Sequence, residues 1–174
     1  RDSGDQKIHE QLAQLQQLVE QTNWILSSGL QLSDASAAVP EALDLEPLID
    51  ELVSNGRVAG DGPRVEIADR LPPVHADPDL ARALIENLLA LFRQISANAG
   101  PFTLRARATG NCVWIEFESN ARGHRSEGSL GPGASLSLAS ARKLAEAHEG
   151  SIELWIDPES GLRLLVGLPR AVLP

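Results

Sequence analysis

The sequence predicts an α+β fold, a two-layer sandwich of helices on a mostly antiparallel sheet. Three observations carry this. Four segments, near Phe102–Ala108, Cys112–Glu118, Ser151–Ile156 and Leu162–Leu168, alternate as half-buried strands do. Two others repeat apolar residues at helical spacing: Leu80, Leu84, Leu88, Leu89 and Phe92 within about Pro78–Ala97, and Leu136, Leu138, Leu144 and Ala145 after Gly133. The second helix crosses between the second and third strands, so helices and strands interleave.

The elements follow in order. Residues 1–32 read as a long, Gln-rich helix with Ile8, Leu12, Leu15, Val19, Thr22 and Leu26 in a four-three seam. Leu18, Ile25 and Leu32 add a second stripe, too broad an arc for a simple two-stranded pair. A helical hairpin dimerising into a four-helix bundle would bury both stripes, and packing on its own domain is the alternative. Ser33–Pro40 is an aperiodic linker, so the domains are expected at 1–40 and 41–174.

Leu43–Val53 carries Leu43, Leu45, Leu48, Ile49 and Leu52, a short one-faced helix, and Gly56–Gly62 is a loop. Val65–Ala68 is a short strand, and Leu71-Pro72-Pro73 forces an extended turn. Asp77 is placed to cap the next helix by accepting from its free amides. Gly150 stops the last helix before the final two strands.

At 174 residues the chain can bury one good core plus an appendage. The net charge of −9 argues against nucleic acid and against direct contact with anionic membranes. No apolar run approaches a membrane span. A single cysteine, Cys112, leaves no internal disulfide and suits a reducing cytoplasm. The chain begins at Arg1 and contains no methionine, so it is expected to be a piece of a longer protein. His9, His75, His124 and His148 show no metal-ligand spacing, and no Ser-His-Asp or Cys-His pattern stands out.

The stretch Gly133–Leu154, GASLSLASARKLAEAHEGSIEL, resembles the last nucleotide-binding box, helix and strand of the sensor histidine kinase ATP-binding domain. The order of elements over about Leu43–Leu168 is similar to the Bergerat ATP-binding fold of that family, and residues 1–32 are similar to the second helix of its dimerisation hairpin. Leu43–Val53 and His75–Leu89 are the other specific parts of the likeness.

The resemblance also locates the chemistry that has changed. The family's long helix presents two asparagines four residues apart, the second holding magnesium. Here ENLLALFRQ gives Asn87 and Leu91, and leucine offers no oxygen to a hard cation. Gln94 stands at the family's basic position. Asn87 is then either a surviving ligand residue or a polar residue at the helix edge. The adenine box implies an aspartate and glycines where ESNARG has Ser119, Asn120, Ala121 and Gly123. A serine hydroxyl would make a weaker bond to adenine than a carboxylate. Only sixteen steps separate Ser119 from Ser135, a shorter lid than the family's, with no aromatic residue between Phe117 and Trp155. Ser135 and Ser137 replace the two turn glycines that let the family's backbone approach phosphate at a helix N-terminus. Ser135 would serve as an N-cap instead.

These departures imply a degenerate ATP site. No catalytic residue, metal or cofactor is then expected; ATP and magnesium enter only if the chain is a divergent but active autokinase. His9-Glu10 looks like a phosphoacceptor histidine and its acid, but lies too close to the Leu43 helix for the family's second hairpin helix to intervene. The acceptor helix is therefore expected upstream.

By alternation Val113, Ile115 and Phe117 face the helices, while Trp114, Trp155 and Leu165 share the other face with Arg105, Arg107 and Arg163. Aromatics among arginines suit a protein-binding surface, unless the N-terminal helix or linker covers them. The resemblance thus implies a two-component signalling protein acting as a homodimer by protein contact. Its partner would be a response regulator or another kinase. It would be cytoplasmic, alone or as the inner part of a membrane-anchored sensor.

Overall fold

The computed structural model describes residues 39–55, 63–68, 70–96, 100–123 and 126–172. Ile8, Leu12, Leu15, Val19 and Leu26, the expected dimerisation seam, lie outside the described residues, as do His9 and His124.

Strand β1 (Glu41–Leu43) leads into helix α1 (Leu45–Asn55), then β2 (Arg64–Ile67), β3 (Val74–Ala76) and helix α2 (Pro78–Ser96). After β4 (Thr103–Thr109) and β5 (Cys112–Ser119) come a 3-10 turn at Glu127–Leu130 and helix α3 (Pro132–Ala147), and β6 (Ser151–Asp157) and β7 (Gly161–Pro169) close the domain. The main sheet has the order β2-β4-β5-β7-β6, parallel only at β2–β4. The expected α+β sandwich is present.

β1 and β3, each three residues long, are not predicted by the sequence. They pair with each other, Ala42 opposite His75. The pair is tied to the main sheet through the end of β7, where Val74 bridges Arg170 and Ala171 N–H donates to Pro73 O at 2.9 Å. Three residues are too few for an alternation to be read, and the two prolines before β3 suggest a turn instead.

Asp77 caps α2 as its position requires. Its Oδ1 accepts from the amides of Asp79 and Leu80, both at 3.1 Å, and Pro78 opens the helix where no donor is needed. Oδ2 accepts from Val39 N–H at 2.9 Å, fixing the incoming chain to the same helix end. Partial burial alone would raise this carboxyl. The amides of Val39, Leu80 and Asp79 and the nearby His148 outweigh it and hold Asp77 below the usual aspartate range.

The core lies between the helices and one face of the sheet. All three phenylalanines meet there: Phe92 of α2 sits 5.6 Å from Phe102 and 5.3 Å from Phe117, ring centre to ring centre. Val113, Ile115 and Phe117 of β5 are fully buried beside them, as alternation requires. α3 ends at Ala147, and Glu149, not Gly150, takes the left-handed conformation (φ 53°). Gly150 is needed for another reason. A Cβ there would stand 2.5 Å from the Gly167 carbonyl of β7.

Candidate functional site

α2 and α3 pack along each other, and the positions singled out by the sequence lie on and around this pair. Asn87 and Leu91 are one helical turn apart on α2 and both point inward. Leu91 is 0% exposed and belongs to the apolar core. Asn87 is 3% exposed, so it is not at the helix edge. Its Nδ2 donates back to Ala83 O at 2.9 Å, and its Oδ1 is buried with no hydrogen-bond partner among the described residues. A buried acceptor without a donor is destabilising by about 1–3 kcal/mol.

The start of α3 differs from expectation. The helix begins at Pro132 with Gly131 (φ 83°) preceding it, so Ser135 is not an N-cap. Ser135 N–H donates to Gly131 O at 3.0 Å within the first turn, and Ser137 is one turn in and buried. The segment that the resemblance sets against the family's phosphate-cradling turn is helical here. The reason is local: Pro132 supplies a fixed φ at the first helical position, and serines carry a Cβ that favours helix over the open conformations of glycine. Gln94 of α2 lies against this turn, and a Cβ on Gly133 would stand 3.2 Å from its Oε1.

The short lid is fastened to the same helix. Glu127, in the 3-10 turn, forms a two-pronged ion pair with Arg142 of α3, one arm at 2.9 Å. Ser135 Oγ donates to Glu127 O at 3.3 Å, and Leu130 packs on the core. The Arg142 guanidinium holds the Glu127 carboxyl below the usual glutamate range, against a smaller opposing effect of burial. Sequence reading missed this clasp. Its partners are fifteen residues apart, one in the 3-10 turn and one in α3, whose relative direction no periodicity describes.

At the end of β5, Ser119 is buried and its Oγ accepts from Ala121 N–H at 3.2 Å. Ala121 is itself buried, where the resemblance implies a glycine. Asn120 and Gly123 are exposed, and Gly123 N–H donates to Pro158 O at 3.2 Å, toward the β6–β7 turn. The structure therefore brings Gln94 to the head of α3 and places Asn87, Leu91, Ser119 and Ser137 in the interior. Asn120 and Gly123 stay outside.

On the open face of the sheet, Trp114 lies across Gly167, where a Cβ would stand 2.8 Å from its Cζ3. The arginines expected to project among the aromatics are largely neutralised. Arg105 pairs with Glu66 at 2.8 Å and with Glu118, and Arg163 pairs with Glu116, whose side chain is buried. Alternation places Glu118 on this face, opposite to Ser119, and by the same rule Glu116, which the sequence reading did not single out. Among the described residues no cluster of His, Cys, Asp or Glu could hold a metal ion, and no helix is long and apolar enough to cross a membrane.

No family model matches the chain. In sequence it is similar to the sensor-like histidine kinase SenX3 of Mycolicibacterium smegmatis, 26% identical over 149 residues, 75% of this chain and 39% of the relative. In structure it is similar to the histidine kinase AdeS of Acinetobacter baumannii, with a TM-score of 0.70 and 15% identity over 92% of this chain and 84% of that one. It also matches the ATP binding domain of PrrB from Mycobacterium tuberculosis, with a TM-score of 0.60 and 23% identity over 76% of this chain and 98% of that domain. The fold is that of a histidine kinase ATP-binding domain. In sequence the chain is similar to a sensor-like histidine kinase, and it spans about two fifths of the length of that curated relative.

Proposed function

We propose that the chain is a two-component signalling protein whose nucleotide site is degenerate, so that it acts by protein contact as a pseudokinase. The observation that carries this is Leu91, fully buried at the position where the resemblance implies the magnesium-holding asparagine. The helical setting of Ser135 and Ser137 and the clasp of Glu127 on Arg142 support it. In the family, ATP and magnesium would sit between α2 and the lid. Here Asn87 remains as an acceptor and Ser119 as a weak one, and no side chain at the Leu91 position can coordinate a cation.

A divergent but active autokinase is the second reading. The unpartnered Asn87 Oδ1 favours it, because a nucleotide would give that oxygen a donor. The two readings separate on titration of the chain with ATP and magnesium by calorimetry. Each lost charge-assisted contact is worth roughly 1.5–3 kcal/mol, so the expected dissociation constant lies beyond about 1 mM. A value below about 100 µM would overturn the degenerate-site reading.

A homodimer held mainly by residues 8–32 belongs to the same proposal, with a response regulator or partner kinase as the binding protein. The double apolar stripe supports it. A monomer by light scattering, at concentrations where Leu15→Glu changes nothing, would remove it.

A further inference from the structure

We propose that strand β6 is a docking edge for an extended, basic segment of a partner protein. It deepens the protein-contact half of the reading above and stands whether or not nucleotide binds.

The sign of the charge is decided by pairing. Taken as sequence, the aromatic face is an arginine surface that would seek acidic partners. In the folded chain Arg105 is held by Glu66 and Glu118, and Arg163 by Glu116. The Arg163 guanidinium also lies 5.6 Å from the centre of the Trp155 ring, so it braces that ring. Arg107 is exposed but belongs to β4, three strand spacings and about 14 Å from β6. What β6 itself presents outward is Ser151, Glu153, Trp155 and Asp157, followed by Glu159 in the turn. Glu153 has no ion pair among the described residues. The edge is acidic around one exposed aromatic.

The backbone is suited to take a strand. β6 is the last strand of the sheet, and among the described residues nothing pairs with its outer side. Its register with β7 runs unbroken from Ser151 to Asp157, and it contains no proline, lysine or bulge of the kind that protects exposed edges. Trp155 is 46% exposed and borders a hollow of about 410 Å³ shared with Arg163, Glu118 and the turn at Gly161. Glu153, Trp155 and Asp157 follow at steps of two on one side of the strand. An added strand would meet them with a cation, an apolar side chain and a cation at i, i+2 and i+4, its main chain completing the open ladder.

The test uses the full chain and a capped peptide, Thr-Lys-Thr-Val-Thr-Lys-Thr, with the glutamate-for-lysine peptide as control. Amide exchange and ¹⁵N shifts read β6 directly. The lysine peptide should bind saturably, protect β6 amides above all others and weaken with salt, while the glutamate peptide should not bind. Glu153→Lys and Trp155→Thr should each weaken binding by about tenfold or more. Salt dependence and the control peptide, both measured on the unaltered chain, keep the test decisive if a variant does not fold. No binding of the lysine peptide at millimolar concentration, or equal binding of both peptides, would overturn the proposal. So would protection, before any peptide is added, of the β6 amides that do not bond to β7, since residues 1–38 or a second copy would then own the edge. The ATP titration is indifferent to all of these outcomes, so failure of one reading is separable from failure of the other.

Discussion

Strand β5 shows its two faces to two different environments. Toward the helices, Val113, Ile115 and Phe117 are sealed against Phe92 and its neighbours. Toward solvent, Trp114, Glu116 and Glu118 are arranged by Gly167, Arg163 and Arg105. The covered face is held by shape and exclusion of water, which are insensitive to salt and intolerant of polar atoms. On the open face the ion pairs of Arg105 with Glu66 and Glu118 are exposed, hence screened and replaceable, while the Glu116 partner of Arg163 is buried. On the proposed degenerate-site reading the covered side is free to fill, and the open side can change partners without disturbing the core.

The largest effect that would break this division lies on α2. Leu91→Asn removes a fully buried apolar side chain and puts an amide into the core, one turn from the unpartnered oxygen of Asn87. It should destabilise the domain by roughly 2–4 kcal/mol in urea melts. Little or no loss would mean that the space beside α2 is open enough to solvate the amide. In that case only the chemistry of the pocket has changed and its shape has not.

That prediction was within reach of the sequence, because Leu91 at a ligand position on an otherwise apolar helix face already implies a filled site. The main strands and helices were legible for the same reason: periods of 2 and 3.6 repeat long enough to be recognised. β1 and β3 were not, since three residues do not make a period. The start of α3 was misread for a subtler cause. A family's turn was carried onto Ser135 and Ser137, while Pro132, which sets the helix start, was passed over. The ion pairs of the open face were not legible either, since alternation places arginines and glutamates on one face but does not say which of them meet.

A smaller effect is expected at the N-terminus of α2. Asp77→Ala removes the acceptor of three amides, from Val39, Asp79 and Leu80, and should destabilise by about 1 kcal/mol at neutral pH. The carboxyl is depressed in the folded chain, so its contribution is complete above its unfolded value and is lost as pH falls through the lower folded value. The gap between the unaltered chain and Asp77→Ala should therefore be constant near pH 7 and shrink below about pH 4. Asp77→Asn sharpens the point. It can keep an acceptor for Asp79 and Leu80 but turns a donor toward Val39, so it should preserve the helix and loosen exchange at Val39 alone. A gap that grows on acidification would mean that Asp77 is not the group being titrated.

The smallest effect belongs to the open face. Arg105 bridges Glu66 and Glu118 from a strand between them in the sheet, with all three side chains more than a third exposed. Exposed pairs gain little, because water already solvates both charges and ordering two long side chains opposes the attraction. Arg105→Met keeps most of the aliphatic stem on the sheet and removes only the charge. Its midpoint shift in urea should be smaller than that of Asp77→Ala, and it should shrink further at high salt, where the pairs are screened. The same change frees Glu118 and leaves Glu66 only its pair with Arg64, so it should leave the fold nearly unaltered and strengthen binding of the lysine peptide at low salt. A loss of stability as large as that of Leu91→Asn would mean that the open face carries the fold as much as the core does. Its ion pairs would then be structural, and the contrast between the two sides of β5 would be one of appearance only.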